Sequence, residues 1–185
     1  MRLILALSLL LLGAGCAYRS APVSYFLLTA TATPATVPLA ASSISLQPIE
    51  LADYLRRTAL VQRQGSSVAI DDSLQWAGML EDEITRVTLN NLNLLLGAPL
   101  VQPQLAGQAR QSTLHLRIDR FDGALGSELR LDGAFSVISS SGERLSQHHF
   151  NIKAKAGDSL DSLISAHNQA LAELASLIVP ALPRV

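Results

Sequence analysis

The sequence predicts an α+β fold: a mainly antiparallel sheet with two long amphipathic helices packed on one face, in the order β-β-β-β-α-β-β-β-α. Three observations carry this. Residues 113–121, 128–138 and 146–156 alternate apolar and polar side chains, the period of half-buried strands. Residues 73–96 and 158–179 instead repeat apolar residues at three- and four-residue steps, the period of a helix with one buried stripe. Clusters of Gly, Pro, Asp and Ser separate these runs, and no repeat of solenoid length is present.

Taken in chain order, residues 23–29 (Val-Ser-Tyr-Phe-Leu-Leu-Thr) are aromatic and β-branched enough for a first strand. Residues 30–41 are mostly Ala, Thr and Pro, and Pro34 and Pro38 make them a loop. Residues 44–51 form a second strand, where Pro48, lacking an N–H, predicts an edge position or a bulge. Residues 59–63 and 67–70 flank Gln64-Gly65-Ser66 as a hairpin. Asp72-Ser73-Leu74-Gln75 has the form of a capping box and predicts a helix over 73–96. Its apolar face would be Ala77, Leu80, Ile84, Val87, Thr88, Leu92 and Leu95, with Asp82 and Arg86 paired in solvent. Gly97 then stands at C′, and Pro99 prevents continuation.

Residues 100–112 are a Gln-rich connection. The meander that follows turns Leu114, Leu116 and Ile118 inward and His115, Arg117 and Asp119 outward. Asp122-Gly123 begins a turn. Leu129, Leu131, Phe135 and Val137 face inward on the next strand, and Gly133 takes an inward slot, predicting a close approach or a bulge. On the third, Phe150, Ile152 and Ala154 oppose His149, Asn151, Lys153 and Lys155. Asp158 would cap the last helix, whose stripe is Leu160, Leu163, Ile164, Ala170, Leu171, Leu174, Leu177 and Ile178, closed by Pro180.

The N-terminus adds a leader. Met1-Arg2 precedes an apolar run over 3–12 and then Gly13-Ala14-Gly15-Cys16. A positive start, a short apolar core and small residues describe a secretory signal peptide. With Cys16 directly after the small residues it resembles a bacterial lipoprotein signal, although Gly13 stands where Leu is usual. That resemblance implies cleavage before Cys16, with a diacylglycerol on its thiol and an N-acyl lipid. The organisation expected is a signal peptide over 1–15, a lipidated tether over 16–22 and one domain over 23–185. The alternative is an ordinary secreted protein with a free Cys16. A spanning helix is disfavoured, because ten apolar residues fall well short of the about 20 a bilayer needs. Ala17 in place of Asp follows the sorting pattern of outer-membrane lipoproteins facing the periplasm.

Composition narrows the function. Losing Arg2 with the leader leaves 13 basic against 15 acidic residues, a net charge of −2, which does not suit a phosphate backbone and argues against nucleic acid. Cys16 is the sole cysteine, so disulfides within the chain, Cys-based metal sites and cysteine nucleophiles are excluded. His148 and His149 are adjacent in a strand and point to opposite faces, so they cannot share a metal. His115 stands alone on an outer face. His167 falls in the apolar stripe of the last helix, where a hydrogen-bonded core histidine is far commoner than a sensor or ligand. Asp71-Asp72 reads as turn and cap, and Glu81-Asp82-Glu83 suits the first turns of a helix. No phosphate loop or hydrolase motif is present, and the chain is not expected to be an enzyme. Arg56, Arg57 and Arg63 are the concentrated positive charge, and Trp76 either covers the core or anchors a partner, core being the commoner outcome.

Residues 51–63 (Leu-Ala-Asp-Tyr-Leu-Arg-Arg-Thr-Ala-Leu-Val-Gln-Arg) resemble a segment of the PqiC/YmbA-like ABC-type transport auxiliary lipoproteins. Tyr25-Phe26-Leu27-Leu28, Gln75-Trp76-Ala77-Gly78-Met79-Leu80 and Leu89-Asn90-Asn91-Leu92 match further parts of that pattern. Ala52, Arg56 and Gly78-Met79 depart from it. The resemblance implies a non-enzymatic outer-membrane lipoprotein that docks a periplasm-spanning MCE-domain protein and its inner-membrane component, with no cofactor beyond the lipid on Cys16. Tyr54, Arg56, Arg57, Arg63 and Trp76 are the candidate partner-binding residues. A lipopolysaccharide-assembly or pilotin-like secretion accessory is the alternative. An open sheet edge would permit a homo-oligomer.

Overall fold

The computed structural model describes residues 22–36, 38–105 and 111–184. The leader, Cys16 and most of the tether lie outside the described residues. Among the described residues nine strands and two α-helices follow one another as β1 (Ser24–Phe26), β2 (Ile44–Leu46), β3 (Glu50–Leu51), β4 (Ala59–Gln64), β5 (Ser67–Trp76), α1 (Leu80–Leu96), β6 (Val101–Pro103), β7 (Ser112–Asp122), β8 (Glu128–Ile138), β9 (Arg144–Lys155) and α2 (Leu160–Ile178). This is the predicted α+β class and alternation of strands and helices. Two short strands are additional: the second predicted strand is divided at Pro48 into β2 and β3, and β6 lies in what reads as a connection.

The principal sheet runs β6-β2-β7-β8-β9, with β3 also beside β7. β7, β8 and β9 form the expected antiparallel meander. β2 and β3 are parallel to β7, because the chain crosses over the sheet before returning. One face of the meander is apolar: Leu116, Ile118, Leu131, Val137 and Ile152 are all buried. Both helices close over it, α2 against β8 and β9, and α1 against α2 and β6. The stripe of α2 (Leu163, Ala170, Leu171, Leu174, Ile178) and that of α1 (Leu80, Ile84, Val87, Leu92, Leu96) complete one core, and burying each such side chain contributes about 1.5–3 kcal/mol.

A second sheet, β1-β5-β4, corrects the expected start of the first helix. β5 runs through to Trp76, so Asp72 and Gln75 are strand residues rather than a capping box, and α1 begins only at Leu80 behind an extended Met79. Pairing with β4 on one side and β1 on the other outweighs the local capping signal. The register jumps from Ala59↔Gln75 to Leu60↔Asp71, and Asp71 Oδ1 closes this bulge by accepting from Ser73 N (2.9 Å) and Ser73 Oγ (2.6 Å). The hydroxyl bond first, then the amide bond, holds the Asp71 carboxyl below its usual range. The hairpin turn is as expected, with Gly65 at φ 62° and Ser66 at negative φ, the form of a type II′ turn. Gly97 (φ 69°) ends α1.

Two smaller expectations change. The last helix is capped by Ser159, whose hydroxyl bonds reciprocally with Ser162, and not by Asp158. Arg86 pairs with Glu83 (2.7 Å) rather than Asp82. The reason lies in the strap after β1. Leu28 N donates to Glu83 Oε2 (3.1 Å), and Arg86 Nη2 donates to Leu28 O (2.7 Å). Asn91 Oδ1 accepts from Thr31 N and Ala32 N, and Asn168 Oδ1 from Thr29 N. Polar side chains of both helices thus satisfy a backbone that has no strand partner there.

Candidate functional site

The segment over 51–63 folds into a clamp between the two sheets. A 3-10 turn (Asp53–Leu55) presents Tyr54, β4 presents Arg63, and the end of β7 presents Arg120 and Asp122. Asp122 is fully buried, and its two carboxyl oxygens face a phenol and two guanidiniums. The Tyr54 hydroxyl donates to its Oδ2 (2.5 Å), Arg120 Nε donates to Oδ1 (2.9 Å), and Arg63 Nη1 stands 3.9 Å from Oδ2. The Arg63 guanidinium also lies 6.0 Å from the centre of the Tyr54 ring. A backbone bridge between Gln62 and Gly123 runs beside these side chains. A buried carboxylate without such partners would cost several kcal/mol, so the four residues are interdependent. Burial first, then the bond to Asp122 and the charge on Asp122, raise the Tyr54 pKa far above the ordinary phenol range; Arg63 and Arg120 oppose this. Tyr54 therefore remains a donor at every physiological pH.

Asp122 is the member that the sequence reading missed, since Asp122-Gly123 looks like a turn. The available signal was Arg120-x-Asp122, two residues that share one face of a strand. Of the other candidate residues, Arg56 is exposed, with its Nε donating to Leu51 O (3.3 Å). Arg57 is half-buried, and its Nε has no hydrogen-bond partner among the described residues. Trp76 ends β5 in the core, 2% exposed. The structure therefore joins Tyr54 and Arg63 in one cluster, leaves Arg56 at the surface beside it, and places Trp76 beneath.

His167 is a core residue, as its position in the stripe implied. It is buried, its Nδ1 donates to Leu163 O (2.8 Å), and its ring meets Trp76 (5.2 Å) and Phe121 (4.7 Å) edge-on. Burial lowers its pKa to about 4; the Leu163 carbonyl and the charge of Asp122 act the other way. The unfolded chain takes up this proton near pH 6.5 and the native protein only near 4, so stability falls as pH falls through that window. The stability difference between wild type and His167→Gln should shrink by about 2 kcal/mol from pH 7 to pH 5, measured by urea unfolding at each pH.

Chemically, the site holds a donor-only phenol and a carboxylate whose oxygens are engaged by Tyr54 and two guanidiniums. Neither is available as a general base. Among the described residues no three His, Cys, Asp or Glu side chains come together to hold a metal, and no helix is long and apolar enough to cross a membrane.

The family model for the ABC-type transport auxiliary lipoprotein component matches residues 25–179. The chain belongs to this family. It is accordingly a non-enzymatic auxiliary component of transport, and the clamp, the hairpin and both helices all fall within the matched span. No curated protein matches the chain. Among solved structures it is similar to an uncharacterized protein, with 21% identity over 86% of this chain and 98% of the other, at a TM-score of 0.72. It is also similar to a Xanthomonas campestris protein of the DUF330 family model, with 13% identity over 84% of this chain and 92% of that one, at a TM-score of 0.69. At these identities the likeness supports the fold alone.

Proposed function

We propose that this auxiliary lipoprotein is anchored in the outer membrane through Cys16, faces the periplasm, and docks the periplasm-spanning MCE-domain component of an envelope lipid-transport system. The observation that carries the reading is the family match over 25–179, in a chain whose leader ends at Cys16. Seven residues separate Cys16 from Ser24, a reach of at most about 28 Å over the eight Cα–Cα steps, so the domain would sit close to its acyl anchor. Val23, Tyr25 and Leu27 are exposed directly after this tether, an apolar edge suited to that neighbourhood. For the partner surface we assign Arg56 and Arg57 as contacts. Tyr54, Arg63 and Trp76 would act by holding the segment from below.

Crosslinking of the tagged protein in intact envelopes, followed by mass spectrometry, tests this. An MCE-domain protein is the expected capture, reduced several-fold by Arg56→Ala/Arg57→Ala with the fold intact. Capture of a β-barrel or a secretin without any MCE protein would overturn the docking role and support the assembly or secretion alternative.

A further inference from the structure

At the end of the meander beyond the clamp, an open groove of about 540 Å³ is lined by Arg63, Arg120, Arg130, Ser127, Glu128 and Leu125. Its neighbour on the same face adds Lys153, which stands directly opposite Arg130 across β8 and β9. Like charges directly opposite one another destabilise a sheet, and here Glu128 is the carboxylate that stands against both. The carboxylates nearby do not balance the cations. Asp122 is buried and taken up by Tyr54, Arg120 and Arg63. Glu128 is half-exposed and lies 4.0 Å from Arg130 and 3.4 Å from Lys153. Lys155 also lines the second groove and Asp158 lies against its Gly126, so five cations against three anions leave a local charge of +2, in a chain whose formal net charge is −1. The arginine side chains retain 23–38% of their exposure, enough to turn donors toward a ligand.

We propose that this groove binds a phosphate group, carried by a phospholipid headgroup or present as free phosphate. Guanidiniums in fork geometry match phosphate oxygens, and a charge of −1 to −2 neutralises the local excess. Leu125, 42% exposed on the rim, offers apolar surface to whatever follows the phosphate. The assignment does not depend on the MCE docking role.

Calorimetric titration of the full chain in non-ionic detergent and phosphate-free buffer tests it, with inorganic phosphate and dihexanoyl phosphatidylglycerol as probes. Binding is expected at low salt, weakening as salt rises. Arg130→Ser/Lys153→Ser should weaken it about 10- to 30-fold, while Glu128→Gln should tighten it several-fold. Saturation by inorganic phosphate would identify free phosphate as sufficient; saturation by the lipid alone would identify the headgroup. No binding of either probe at low salt, or a folded double variant that binds like wild type, overturns the proposal. Thermal melts check that the double variant folds, and if it does not, an unchanged affinity in Glu128→Gln overturns the proposal by itself.

Discussion

Trp76→Ala is expected to cost about 3–5 kcal/mol of stability, read as a lower urea midpoint followed by circular dichroism. The indole is 2% exposed, it ends β5, and its edge meets His167 on α2. Truncation would open a large cavity where the small sheet, α2 and the end of β7 converge. Those three elements are distant in sequence, so local relaxation cannot close it. A domain of this size has only about 5–15 kcal/mol in total, so the loss is a large fraction of it. The same cavity has a second readout. His167 owes its low pKa to burial first, and water admitted beside the ring would let the pKa rise from about 4 toward its ordinary value. Trp76→Phe, which keeps most of the volume, should recover most of the stability and leave the His167 titration low. A Trp76→Ala protein as stable as wild type that lost its crosslinked partner would instead make Trp76 an interface anchor.

The parts of this fold legible in the sequence are those decided within one element. Residues 113–121, 128–138 and 146–156 alternate so regularly that strand type, inward face and the place of Gly133 can all be read from period two. The stripe of α2 is equally local. What escaped depends on distant pairing. Asp72 and Gln75 carry the letters of a helix cap, but β1 and β4 supply strand partners to the same backbone, and those hydrogen bonds prevail. β6 is only three residues long and exists because β2 lies beside it and Asn93 bonds both Val101 N and Val101 O. The candidate site was half legible for the same reason. Tyr54 and Arg63 stand out within one segment, whereas their shared carboxylate lies 68 residues from Tyr54. Apart from Arg120 two residues before it, nothing local distinguishes a buried Asp122 from a turn aspartate. The clamp explains why that segment bears a pattern at all: Tyr54 and Arg63 must be present together, since either one missing leaves buried charge less well compensated.

Gly133→Ala is the second substitution expected to act strongly, and its sign is decided by competing magnitudes. Removing a glycine lowers the entropy of the unfolded chain and stabilises by about 0.4–1 kcal/mol where the native geometry tolerates a side chain. At Gly133 it does not. A Cβ there would lie 2.1 Å from Arg117 O and 2.7 Å from Phe150 Cζ. The ring can swing, but the carbonyl belongs to the β7–β8 ladder, beside the bulge between Ile118 and Arg120. Clearing it means breaking hydrogen bonds in the middle of the principal sheet. The expected net cost is therefore about 3 kcal/mol or more, at or above the upper end for overpacking. Gly78 provides the contrast: it has no positive φ and nothing within 4 Å of its Cβ position, so Gly78→Ala should be neutral or gain about 0.4–1 kcal/mol. Adding Phe150→Leu to Gly133→Ala relieves only the ring contact and should restore little. If the double variant regained wild-type stability, Phe150 rather than the Arg117 carbonyl would be the obstacle, and the bulge in β7 would have room to move.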